Sequence, residues 1–272
     1  MSISRRPRQP VRTIAAAVAG LLLATLPAAS VRGVQDPGGI PIPTGQSVSP
    51  AGRVTPLLAF PSAAALTPDG KSVVVVAGRP VLTINQLPVS VMVIDAATGS
   101  VRQVLKVGDA LQSIAFLADG STAFLAGGVD RAIHTLVPDG RGGLALGPDL
   151  LVPACDMVVS LALDGDEKGL WASCPAESSG GKDGSIVHLS RAGALLRRVP
   201  VAGPGPIAVS RNGSQVFAAS WRGNSITAVD AVSGAAEVIP VNDHPSALLP
   251  LADGRLEVTG ANDATLDTLG VA

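Results

Sequence analysis

The sequence predicts an all-β repeat protein, and three observations carry that prediction. A phrase of small apolar run, short polar turn closing on glycine, and second apolar run returns about every 45 residues, and self-similarity at such a period marks a repeat architecture. Each repeat holds four apolar segments of strand length divided by turn residues, with no helical periodicity after residue 30. Apolar residues make up 47% of the chain but aromatic ones only 2%, with no Tyr, so the core must be built from Val, Ile, Leu and Ala.

Residues 1–30 read as an export signal. Arg5, Arg6, Arg8 and Arg12 form a positive front, Ile14 to Leu26 an apolar run, and Pro27-Ala28-Ala29-Ser30 a small-residue cleavage region. The run is about 13 residues, too short to cross a hydrocarbon core of about 30 Å as a helix, which favours a removed signal over a retained anchor and leaves no stable membrane span. Arg5-Arg6 hints at a twin-arginine signal, although Pro7-Arg8-Gln9 lacks the apolar residues expected after the pair. The expected location is periplasmic or secreted. Removing these residues takes away four of the 20 basic residues and none of the 21 acidic ones, leaving a net charge of about −5. A mildly acidic chain poor in aromatic residues is unsuited to nucleic acid, whose phosphates need cations and whose bases need stacking partners.

Residues 31–50, rich in Pro, Gly and Ser, read as a linker, and residues 51–272 as the repeat domain. The first repeat, near 60–107, contains Ala63-Ala-Ala-Leu-Thr-Pro-Asp-Gly70 followed by Lys71-Ser-Val-Val-Val-Val-Ala77, then Val91 to Asp95 and Val101 to Val107. Two hairpins join these segments, one at Pro68-Asp69-Gly70 and one at Thr98-Gly99, each with a glycine where φ is expected to be positive. The second, near 111–151, repeats the phrase as Ser113-Ile-Ala-Phe-Leu-Ala-Asp-Gly120. The third, near 156–200, is the most divergent, with a stretched turn at Ala162-Leu-Asp-Gly-Asp-Glu-Lys-Gly169 and a Ser- and Gly-rich insertion between Cys174 and Gly184. The fourth, near 205–241, carries Ile207-Ala-Val-Ser-Arg-Asn-Gly213 and copies the Thr98-Gly99 hairpin as Asp230-Ala-Val-Ser-Gly-Ala-Ala236. The fifth, near 245–272, begins with Ala247-Leu-Leu-Pro-Leu-Ala-Asp-Gly254 and stops after a third segment at Thr265 to Leu269.

Four strands per unit of 40 to 50 residues is the pattern of β-propeller blades, and about four and a half antiparallel blades are present. The turn glycines Gly70, Gly120, Gly165, Gly213 and Gly254 stand 50, 45, 48 and 41 residues apart. Ala-Leu-Thr-Pro-Asp-Gly and Val91-Met-Val-Ile-Asp-Ala-Ala-Thr-Gly-Ser-Val101 resemble the YVTN-type β-propeller repeat family over residues 48–272. The opening Val48-Ser-Pro-Ala-Gly-Arg-Val54 resembles the propeller half of bacterial propeller-phosphoesterase fusions. The resemblance implies a ring of seven blades. Two readings follow from the shortfall: a piece of a longer chain, or a ring closed between two copies as a homodimer. Val54 to Leu58 is the candidate strand for completing a last blade.

In an oxidising compartment Cys155 and Cys174, on either side of the hairpin Val158–Leu163 and Leu170–Ser173, are expected to form a disulfide. His134 and His188 lie within third strands and are read as locally bonded. His244 lies in the link Val241-Asn-Asp-His-Pro-Ser246 between two blades, and the resemblance implies a turn role for its His-Pro pair. The blade links and the loops between second and third strands share one face, which gathers Asp109, Asp130, Arg131, Asp156, Trp221, Arg222, Asn224, Asp243, His244, Asn262 and Asp263 around the mouth of the channel. Trp221 and Arg222 are the first binding candidates, because indole is amphipathic and guanidinium forks onto anions. Asp243 and His244 come second. No metal site, cofactor site or catalytic residue is assigned: there is no nucleophile elbow and no phosphate loop, and Ser178 to Gly184 lacks a strand-to-helix context. The leading function is an exported, non-enzymatic binding or scaffold domain for a protein or small ligand of the cell envelope. The alternative is the propeller part of an enzyme, either with a lactonase- or lyase-like site at the channel mouth (Asp243, His244, Asn262) or accessory to a phosphoesterase domain beyond Ala272.

Overall fold

The computed structural model describes residues 54–78, 89–176 and 183–271, together with one short antiparallel pair, β1 (Ile40–Pro41) and β2 (Ser47–Val48). The export signal and the Ser- and Gly-rich insertion at 177–182 lie outside the described residues. The β1–β2 pair falls within residues 31–50, the stretch read as a linker. Residues 1–52 and 53–272 form separate units, and only the second is considered below.

That unit is a succession of antiparallel sheets. The first contains β3 (Phe60–Leu66), β4 (Ser72–Gly78), β5 (Val89–Asp95) and β6 (Val101–Val107), paired in chain order. The second contains β7 (Ile114–Phe116), β8 (Ala123–Ala126), β9 (Ala132–Pro138) and β10 (Leu144–Leu146), with β11 (Leu150–Leu151) also paired to β9. The third is β12 (Ser160–Leu163), β13 (Gly169–Pro175), β14 (Gly184–Ser190) and β15 (Leu195–Pro200). The fourth is β16 (Pro204–Val209), β17 (Gln215–Ser220), β18 (Ser225–Asp230) and β19 (Ala236–Pro240). The fifth has three strands, β20 (Pro245–Pro250), β21 (Arg255–Gly260) and β22 (Thr265–Gly270). Three four-stranded meanders, one whose fourth position is divided between β10 and β11, and one of three strands match the expected four and a half blades.

The turns form as the residue types dictate. Gly70, Gly120, Gly213 and Gly254 have φ between 70° and 84°, a region that L side chains rarely enter. At the second hairpin, Asp95 Oδ1 accepts the Thr98 N–H at 2.7 Å, and Asp230 Oδ1 accepts that of Ser233 at 2.6 Å. The third turn departs from expectation. It is not stretched: residues 164–168 separate its strands as 67–71 do in the first sheet, and Glu167, not Gly165, stands at the position of Gly70 with φ of 56°, while Gly165 lies against the neighbouring turn, where an added Cβ would stand 3.1 Å from Gly213 Cα.

Alternation along the middle strands sends one set of side chains back to the preceding sheet and the other onward. Val74 and Val76 of β4 pack with Leu125 and Leu136 of the second sheet. Phe124 and Ala126 pack with Leu170 and Val187 of the third. Trp171 meets Val216 and Ala218 of the fourth, and Phe217 and Ala219 meet Leu256 and Val258 of the fifth. At the corresponding onward positions β21 carries Glu257 and Thr259, and the Glu257 carboxylate accepts the Thr268 hydroxyl at 3.1 Å. The onward face of the fifth sheet is thus polar at its centre, unlike the four that precede it.

The backward face of the first sheet corrects one expectation. Val54 to Leu58 forms no strand on the fifth sheet. Instead Leu57 and Ala59 cover Val75, Ala77, Met92 and Ile94, and Thr55 Oγ1 donates to the Gly99 carbonyl at 2.8 Å. Packing Leu57 and Ala59 on these four apolar side chains removes apolar area from water.

Candidate functional site

The first strands β3, β7, β12, β16 and β20 lie side by side in that order. Where they converge they line a cleft of about 630 Å³, walled by Ser62, Gln112, Ser160, Pro204, Pro206 and Ser246 among others, with Trp221 and Arg222 at its rim. Serine hydroxyls join neighbouring first strands: Ser62 Oγ donates to the Leu111 carbonyl at 3.4 Å, Ser113 Oγ to that of Leu161 at 2.9 Å, and Ser160 Oγ accepts the Ile207 N–H at 3.4 Å. The sequence reading missed these residues. The signal was present, because a serine stands just before the apolar run at Ser62, Ser113, Ser160 and Ser246.

The structure separates the four binding candidates. Trp221 and Arg222 line the cleft, and Trp221 is 41% exposed, whereas the other tryptophan, Trp171, is buried. Asp243 and His244 stand behind Trp221. The His244 ring meets the indole edge-on with centroids 4.8 Å apart, and His244 Nδ1 lies 2.5 Å from Asp243 Oδ1. Asn262 Nδ2 lies 3.3 Å from Asp243 Oδ2 and 3.0 Å from His244 Nδ1, while Asn224 Oδ1 accepts the His244 N–H at 3.1 Å. This group fixes the imidazole, and the imidazole sets the angle of the indole.

The remaining residues of the expected mouth hold the links in place. Asp130 Oδ2 accepts the Asp109 N–H at 2.7 Å, and Asp263 Oδ2 accepts the Asp243 N–H at 3.0 Å, the same bond in two blades. Arg131 donates to the carbonyls of Cys155 and Pro153, both at 2.8 Å. Asp156 is exposed. His134 bonds Asp149 at 2.9 Å and the Asp109 carbonyl at 2.8 Å; His188 bonds Asp164 at 2.8 Å and stacks on Trp171 with rings 4.5 Å apart. Both histidines are bonded locally. Among the described residues no group of three or more His, Cys, Asp or Glu is placed to hold a metal.

Arg131, Asn224 and Ala264 each occupy the left-handed region in these loops, with φ of 55°, 47° and 55°. The first two side chains bond neighbouring links, but Ala264 is an exposed methyl in a conformation costing about 1–2 kcal/mol. Ala264→Gly is therefore expected to raise stability by about 0.5–1 kcal/mol net of the added freedom of the unfolded chain. A thermal midpoint at or below that of the unaltered protein refutes this.

No protein-family model matches the chain, and no curated protein matches it by sequence. Solved structures do. The WD40 repeats of RRP9 align with a TM-score of 0.64 at 12% identity, covering 81% of this chain and 63% of that one. U3-55K aligns at 0.63 and 11%, covering 80% and 64%. The fold is a β-propeller. A functionally unknown protein from Desulfotomaculum acetoxidans aligns at 0.59 and 16%, covering 78% and 68%. This propeller chain spans less than two thirds of the U3-55K and RRP9 chains, and at such identities the likeness concerns fold alone.

Proposed function

We propose that this chain is an extracytoplasmic, non-enzymatic binding propeller of the YVTN type, and that its central cleft takes a short protein segment or small ligand bearing an anionic group beside an apolar one. The observation that carries the reading is the exposed Trp221 next to Arg222 at the rim of the cleft. Indole supplies apolar area at low entropic cost, guanidinium pairs with carboxylate or phosphate, and five rigid first strands hold the walls. The Cys155–Cys174 disulfide supports an oxidising location.

A displayed peptide library selected on the protein tests this. Recovered peptides are expected to carry an acidic residue or free C-terminus next to an apolar side chain. They should bind Trp221→Ala about 30-fold more weakly, the loss typical of an interface hot spot of about 2 kcal/mol. Equal affinity for the unaltered protein, Trp221→Ala and Arg222→Ala overturns the assignment.

A further inference from the structure

The turns joining first to second strands share one bond. A side-chain oxygen accepts the backbone N–H two residues on: Asp69 from Lys71 at 3.1 Å, Asp119 from Ser121 at 2.8 Å, Asp166 from Lys168 at 3.1 Å and Asp253 from Arg255 at 3.2 Å. In the fourth sheet the acceptor is an amide, Asn212, bonded by the Ser214 N–H at 3.0 Å. Of the asparagines in the sequence, Asn212 alone precedes a glycine. In Asn-Gly the following backbone nitrogen can reach the side-chain carbonyl carbon, because glycine has no Cβ to obstruct the approach.

That attack would build negative charge on Asn212 Oδ1, and the turn already aims three donors there. Ser210 Oγ stands at 2.7 Å, Ser214 Oγ at 2.8 Å and Ser214 N at 3.0 Å. Ser210 Oγ also accepts the Gln215 N–H at 2.9 Å, which directs its own proton to Asn212. Preorganised donors on a developing oxyanion are the arrangement by which acyl-transfer enzymes stabilise a tetrahedral intermediate.

We propose that Asn212 is a self-modification site, converted within the folded chain to aspartate by the backbone nitrogen of Gly213. The Gly213 N–H leaves the Ser210 carbonyl, which it meets at 2.8 Å, and gives its proton to water or hydroxide as the nitrogen bonds to Asn212 Cγ. Nδ2 takes a proton from water, the Cγ–Nδ2 bond breaks, ammonia departs, and a succinimide ring remains. Water then adds to one imide carbonyl and breaks its bond to nitrogen. Opening at Cγ gives aspartate in a normal peptide; opening at the backbone carbonyl gives the β-linked isomer. Only water is consumed.

The turn favours the first product. A carboxylate at position 212 meets the same donors that the other turns offer to theirs, where hydrogen bonds led by the Thr67 and Ser121 hydroxyls hold the Asp69 and Asp119 carboxyls below the usual carboxylate range. The β-linked isomer lengthens the main chain beside Gly213, whose turn is packed against Gly165.

Incubating the purified chain at mildly alkaline pH and mapping its peptides by mass tests the proposal. The amide-to-acid mass gain is expected at Asn212 ahead of every other asparagine. The product should coelute with Asn212→Asp on ion exchange and be a poor substrate for isoaspartyl methyltransferase. Ser214→Ala and Ser210→Ala should each slow the conversion at least about tenfold, a conservative figure for losing one oxyanion donor. Faster conversion of Asn212 in urea than in buffer overturns the proposal, as does an unchanged rate in both serine variants.

Discussion

Trp171→Ala is expected to destabilise the propeller by about 3–5 kcal/mol, the range for truncating a buried aromatic residue. The indole is 1% exposed and fills the space between the third and fourth sheets, in the cluster of Ile186, Val199, Ile207, Val216 and Val229. Its other face stacks on His188, whose bond to Asp164 ties β14 to the turn after β12. Truncation therefore leaves a cavity and frees a positioned imidazole. Trp171→Phe retains most of the packing and should cost far less. Chemical denaturation followed by circular dichroism reads both variants, and a loss below about 1 kcal/mol for the alanine variant rules out this account of the interface.

Breaking the disulfide ranks second. Cys155 and Cys174 are bonded, lie 19 residues apart in sequence and are 1% and 3% exposed. The bridge ties the link before β12 to the end of β13, within the apolar cluster of Val152, Val158, Leu161 and Leu170. Closing a loop of this length removes unfolded-chain entropy worth about 3 kcal/mol. The Cys155→Ala, Cys174→Ala double variant should unfold at lower denaturant by that amount, and a reductant should shift the unaltered protein but not the variant. An equal response of both proteins to reductant would mean that the bridge contributes nothing.

The elements most legible in the sequence are those governed by neighbours along the chain. Pro68-Asp69-Gly70 becomes a hairpin with φ of 70° at the glycine, and Asp230 to Ala236 repeats the geometry of Asp95 to Val101, because turn chemistry is decided within four or five residues. The cysteine pair was legible for a related reason: the hairpin between the two sulfurs brings its own ends together. Even here the glycine misled: the third turn has the length of the others, and its positive φ falls on Glu167 while Gly165 stands two positions earlier.

The binding candidates were legible only as a crowd. Trp221, Asp243 and His244 fall on one face by propeller logic, yet their division into a cleft-lining pair and a supporting pair depends on how the fourth and fifth sheets stack. The serines between first strands were visible as a recurring letter without a role, since each acts on a residue about 47 to 49 positions away.

Period, strand count, turn types and the cysteine pairing follow from the chain alone, because each rests on contacts between near neighbours in sequence. Stacking decided the rest. It placed Leu57 and Ala59 on the first sheet rather than the fifth, opened the cleft where five first strands meet, and left Glu257 on a face whose counterparts are buried. Those outcomes depend on which apolar faces meet across whole repeats, a competition among distant surfaces that local residue pattern does not encode.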